Sequence, residues 1–222
     1  MKTNKHKFSS AIREPLQHIL QVYNGFSLPS SKIDCGEKCR SQNPNNKPFC
    51  CDPQFAVPIL YDTEYTQLEP LTKLWLPSTT EKVSEDIPVG LSPHICQGPA
   101  ACIRGFRSIS CRSFPFFPYV RSDYTFLGLA VEWEFSNLCW LSGHLEQVDP
   151  KFRSQFVRTY DQLFAYYQTI FDNYHEHSIL CRQAHARQGS YIDLLHRNGK
   201  RYRINPATEK NTLFRQTATS EQ

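Results

Sequence analysis

Nine cysteines in a chain of 222 residues constrain this fold more than any other feature. Seven of them fall in two short windows. The first, CGEKCRSQNPNNKPFCC, supplies Cys35, Cys39, Cys50 and Cys51. The second, CQGPAACIRGFRSISCRSFPFFP, supplies Cys96, Cys102 and Cys111 among arginines and aromatics. An eighth, Cys139, follows in SNLCWLSG. Thiolates bind soft and borderline metals, and the ion in turn keeps them deprotonated. Four converging thiolates make a closed tetrahedral zinc site or hold an iron–sulfur cluster. The eight residues Cys35, Cys39, Cys50, Cys51, Cys96, Cys102, Cys111 and Cys139 are therefore the candidate metal ligands, with zinc or iron, including a four-iron four-sulfur cluster, as the candidate cofactor. Neighbouring side chains in extended backbone point apart, so the vicinal pair Cys50-Cys51 suits two metal sites, or one ligand beside one packed thiol. Eight cysteines fit two four-thiolate sites or one site with spares.

Charge agrees with this picture. The formal net charge is +4 with thiols neutral. Eight thiolates around two dications would remove four charges and leave the chain near zero. Lys38, Arg40, Arg104, Arg107 and Arg112 then act as local compensation and lower the thiol pKa values. So small an excess does not by itself indicate nucleic-acid binding. No eighteen-residue apolar run is present to cross a membrane, and the first residues show no secretory signal pattern. A cytoplasmic, reducing setting is expected, where many cysteines argue for metal or redox work rather than disulfides.

The spacings, Cys35-x3-Cys39, Cys50-Cys51 and Cys96-x5-Cys102-x8-Cys111, fit neither a zinc ribbon nor a ferredoxin run. They do resemble one known group. CIRGFRSISCRSFPF is similar to the central segment of the CxxCxxCC cysteine-cluster family, through Cys102, Arg107, Cys111, Arg112, Phe114, Pro115 and Phe116. Cys96 falls where that family opens the segment, and Cys50-Cys51 resembles its paired cysteines. Cys139 resembles a later cysteine that precedes a C-terminal helix. The chain departs from the family in its first motif, Cys-x3-Cys-x10-Cys-Cys, and in Ser108, where the family has proline. The resemblance spans about residues 35–145 and implies a zinc- or iron-chelating domain. Because relatives include flagellin lysine N-methylases, it also implies a metal- or cluster-dependent enzyme as the alternative to an accessory metal-binding protein.

The remaining sequence predicts an α+β fold: a cysteine-rich core of loops and short strands packed on a long C-terminal helical segment with a terminal hairpin. Residues 1–33 read as a basic tail with a short helix from Pro15 to Asn24, residues 34–146 as the metal-binding region, and 147–222 as the helical segment, hairpin and tail. SQNPNNKPF, between Cys39 and Cys50, is a polar loop. Phe55 to Tyr61 reads as a strand, Asp62 to Leu68 as a short helix, and Pro77 to Pro93 as a surface loop. Tyr124 to Glu134 alternates as a strand and turns back at residues 121–123 onto Pro118 to Val120. FPFFPY reads as core. Asp149-Pro150 opens the strongest helix, with Asp as cap and Pro in the first turn. Its apolar face continues through Phe152, Phe156, Tyr160, Leu163, Ile170 and Tyr174, and a break is expected around Asn173 to Ser178. Asn198-Gly199 predicts a hairpin with two left-handed turn residues, and the tail from Asn205 reads as frayed. His177, Cys181 and His185 recur every fourth residue, a spacing that pairs ligands on a helix, although a solvated face explains it more simply. His94 is a possible substitute ligand, and no P-loop, dinucleotide turn or nucleophile elbow appears.

Overall fold

The computed structural model describes residue 19 and residues 21–78 and 90–214. The basic tail, the start of the first predicted helix, most of the 77–93 loop and the chain beyond 214 lie outside the described residues. The fold is α+β, as the sequence predicts, and residues of all three predicted regions share one core. Ile19, Phe26, Leu60, Ile109, Phe152 and Leu195 belong to a single buried cluster.

Five antiparallel strands form the main sheet, in the order β4 (Phe116–Val120), β5 (Phe126–Val131), β6 (Ile192–His196), β7 (Arg201–Ile204) and β8 (Asn211–Leu213). A second, three-stranded sheet places β3 (Leu91–Cys96) between β1 (Ile59–Tyr61) and β2 (Trp75–Pro77). FPFFPY is core because β4 is buried along its whole length. Successive strand residues face opposite sides. Phe116 accordingly joins the cluster under α5 (Pro150–Tyr166), while Phe117 and Tyr119 join a second cluster with Cys181 of α6 (Gln168–Gln188). Helix α5 packs on β5 and α6 packs along β4.

The long helical segment breaks at Tyr167, whose backbone is extended (φ −135°, ψ 92°), and not at 173–178 as expected. Tyr167 is neither Gly nor Pro, and the apolar stripe runs on through both helices, so periodicity hides the break. Asp149 caps α5 as predicted, its Oδ1 accepting from the Lys151 N–H at 2.7 Å. The predicted helix at 62–68 is α2 (Asp62–Leu68), with Tyr61 at the cap position. The predicted strand at 55–61 shrinks to β1.

The hairpin of β6 and β7 is present, but only Gly199 (φ +91°) is left-handed in its turn. Residues 206–214 are not frayed. They include β8, and Glu209 meets Arg182 in an ion pair of 2.9 Å with both side chains about nine-tenths buried.

Candidate metal centre

Three segments bring the first thiols together. Helix α1 (Cys35–Arg40) is capped by Asp34, whose carboxylate accepts from the Gly36 and Glu37 N–H groups. The four-residue spacing puts Cys35 and Cys39 on one helix face. Helix α1 packs against the turn Phe49–Cys51 and against α4 (Trp140–Gly143), with Cys139 at the α4 cap position. Asp52 fixes the loop that precedes the turn. It accepts from the Asn43 and Asn45 side-chain amides at 3.0 and 2.8 Å and from the Gln54 N–H at 3.1 Å. The polar segment that reads as a plain loop is thus stapled to the paired cysteines.

A second group forms on the other side of the turn. Cys96 ends β3, Cys102 follows a short turn at Pro99–Ala101, and Cys111 lies in α3 (Ile109–Ser113). Ser108 caps α3 by accepting from the Cys111 N–H at 3.1 Å. The buried Glu64 braces the same helix start, its Oε1 accepting from the Ile109 N–H at 2.6 Å. Cys50, Cys51, Cys96, Cys102 and Cys111 line one cavity with Arg107.

The electrostatics link these thiols into two groups that meet at Cys50. Burial, then Cys139 and Cys39, push the Cys35 thiol up to about 11. Burial likewise raises Cys139, with Cys39 adding to it. Burial pushes Cys111 up to about 12, opposed by Arg107 and reinforced by Cys51, Cys102 and Cys96. Cys96 is raised by burial and by Cys51 and Cys102. The Cys50 and Cys51 sulfurs are 3.9 Å apart. Their hydrogen bond lowers Cys51 to about 7 against the effect of burial, with help from Arg107 and Arg40. The same bond, burial and Cys51 raise Cys50, which also feels Cys111 and Cys139. Cys50 therefore sits between the groups.

All nine cysteines are free thiols. Among the described residues no three His, Cys, Asp or Glu side chains stand arranged to hold a metal ion. The thiols are neighbours, not a closed ligand shell. What fits a metal is the donor chemistry: eight neighbouring thiols, with a cation against one of them. Arg107 donates from Nε to the Cys102 sulfur at 3.1 Å. Among the described residues Arg112 pairs with no sulfur or carboxylate. It donates to the carbonyls of Tyr23, Phe26, Gly105 and Arg107 at 2.6–2.9 Å and lies 3.7 Å from the Tyr23 ring centre. His94 is buried, contacts the Ser92 carbonyl at 3.0 Å and stacks near Tyr65.

The stripe His177, Cys181, His185 is not brought together as a site. His177 Nε2 pairs with Glu132 at 2.9 Å, His185 Nδ1 meets the Ser190 hydroxyl at 2.8 Å, and Cys181 is buried in the second core. Burial alone lowers the His177 pKa, but Glu132 and Glu134 raise it overall. Instead His177 joins Ile170, Asn173 and Tyr174 in lining the thiol cavity. These positions are three and four apart and so share one helix face. Their signal was two polar residues, Asn173 and His177, set into an apolar stripe. Periodicity alone assigns such a stripe to core.

Compared with family models, curated proteins and solved structures, the chain matches none. Among the described residues no helix is long and apolar enough to cross a membrane.

Proposed function

We propose that the protein binds zinc or iron, as ions or as an iron–sulfur cluster, through two four-thiolate sites. Cys35, Cys39, Cys50 and Cys139 serve one, and Cys51, Cys96, Cys102 and Cys111 serve the other. The vicinal cysteines belong to one site each.

The observation that carries this is Arg107. Its guanidinium is half-buried and meets no carboxylate among the described residues, and its pKa is raised by Cys102, Cys111 and Cys51 against the effect of burial. A desolvated cation needs a counter-charge, and thiolates are the anions at hand. Buried thiols such as Cys111 give up their protons only when a cation replaces them. A bound dication or cluster supplies that charge, while Arg107 holds the excess negative charge of the second group. Kinship with the cysteine-cluster family belongs to the same proposal, as does a reducing, cytoplasmic location, which suits nine free thiols.

The role favoured is structural or accessory, with metal binding contributing folding energy. A second reading, a metal- or cluster-dependent enzyme, is favoured by the cavity against the second group. Its volume is about 430 Å³, within the range of small-molecule sites.

Elemental analysis of anaerobically prepared protein tests the proposal. The expected result is two sites' worth of zinc or iron. Cys51→Ser and Cys139→Ser should each lose about half of that metal, by the stoichiometry of two independent sites, and Cys181→Ser none. Folded protein without metal, or equal loss from Cys181→Ser, would refute it.

A further inference from the structure

The thiol cavity is apolar along most of its wall, through Phe55, Val57, Trp75, Phe114, Phe117 and Ile170. Arg107 lies against the second thiol group and donates to the Cys102 sulfur at 3.1 Å. Glu132 and His177 pair at 2.9 Å. With the second thiol group ionised on metal, each charge that lines the interior has an opposite charge beside it, and Glu134 is exposed to solvent. Two groups remain to recognise a guest. The half-buried Asn173 amide and the Nδ1 atom of His177 make no hydrogen bond among the described residues. Asn173 offers both a donor and an acceptor.

We propose that this cavity binds an uncharged organic molecule with an apolar body and a head that both donates and accepts hydrogen bonds, such as a primary amide. Asn173 and the Glu132–His177 pair bond the head, and the aromatic wall takes the body. A charged head would enter an apolar space whose ions are already paired, leaving its own charge without a partner. The proposal rests on the two-site metal reading only for the compensation of Arg107.

The probes are benzamide, benzylamine and benzoate, titrated into full-length metal-loaded protein by ligand-observed NMR, with metal content measured on the same sample. Benzamide should bind at least about tenfold more tightly than either charged analogue, the factor set by one lost hydrogen bond or unpaired charge. Asn173→Leu should weaken it about tenfold. Val57→Trp, at the exposed rim, should block it while leaving the inner polar groups untouched. Charged probes that match benzamide, failure of all three to bind metal-replete protein, or benzamide affinity unchanged in both variants would each overturn the cavity proposal. Benzamide binding to a protein that carries no metal would support the cavity proposal and overturn the metal reading alone.

Discussion

Arg107 and Arg112 sit five residues apart in one segment and do different work. The Arg112 fork satisfies four backbone carbonyls from two distant stretches of chain. A lysine has one donor centre and cannot span them. Arg112→Lys is expected to lower the unfolding free energy by about 2–3 kcal/mol, read by urea denaturation, and a change below about 0.5 kcal/mol would remove the role assigned to it. Arg107→Met should instead lower the metal retained by the second thiol group and spare the first, a difference that metal analysis in the Cys139→Ser background resolves. Glu64 makes a third prediction. Burial pushes its carboxyl up to about 7 from an ordinary 4.5, with the Ile109 N–H working in the opposite direction. An acid whose folded pKa lies above its unfolded value takes up a proton on folding. Its contribution is full below pH 4.5, declines as pH rises toward 7, and is flat above. Relative to Glu64→Gln, the wild type should lose about 3 kcal/mol across that window, and a stability difference that stays level from pH 4.5 to 7 would disprove the assignment. The sequence marks both arginines as partners of the thiolates, and only Arg107 donates to a sulfur among the described residues. Glu64 stood out in the sequence only as part of the resemblance that follows Cys50-Cys51, and its burial was not legible because it comes from segments distant in sequence.

At the scale of elements, local chemistry was legible and tertiary demands were not. Asp149-Pro150 opens α5 as its cap residues require, and the alternation at 124–134 yields β5 of the main sheet. Two further outcomes show what local pattern misses. The tail from Asn205 is polar, yet Glu209 buries its carboxylate against Arg182 and draws β8 onto the sheet. One polar residue there serves a buried ion pair, while Thr208, Lys210 and Thr212 are exposed. The helix breaks at Tyr167 with no Gly or Pro to mark it, because the segment serves clusters on both faces of the sheet. Gly128 was equally silent. It lies inside β5 at φ +144°, and a Cβ there would run into the backbone of Leu195 in β6. Gly128→Ala therefore needs both a strained backbone and a parting of two strands, so a loss of about 3 kcal/mol or more is expected. Thermal denaturation with a midpoint unchanged from the wild type would show that the strands can part at no cost.

At the scale of the whole molecule, two kinds of cohesion meet in one body. The sheet and the helices α5 and α6 are held by buried aromatics, among them Phe117, Tyr119, Phe152, Phe156 and Tyr160. The segments around the cysteines are short helices, single turns and strands of three to six residues, and their buried apolar residues are Cys39 and Phe49 in the first window and Ile109 in the second. A few side chains of that size do not offset the cost of ordering two loop-rich windows, whereas thiolate–metal bonds do. Hydrogen exchange should therefore divide the protein once a strong chelator is added. Amides of 35–51 and 96–113 should lose protection, while those of β4, β5 and α5 keep theirs. Cys139 ties α4 to α1, so protection should also fall in the α4 turn although it adjoins α5 in sequence. Uniform loss would mean that metal and core unfold as one cooperative unit. Unchanged protection in the cysteine windows would mean that packing alone orders them, and the thiols would then need another explanation than metal.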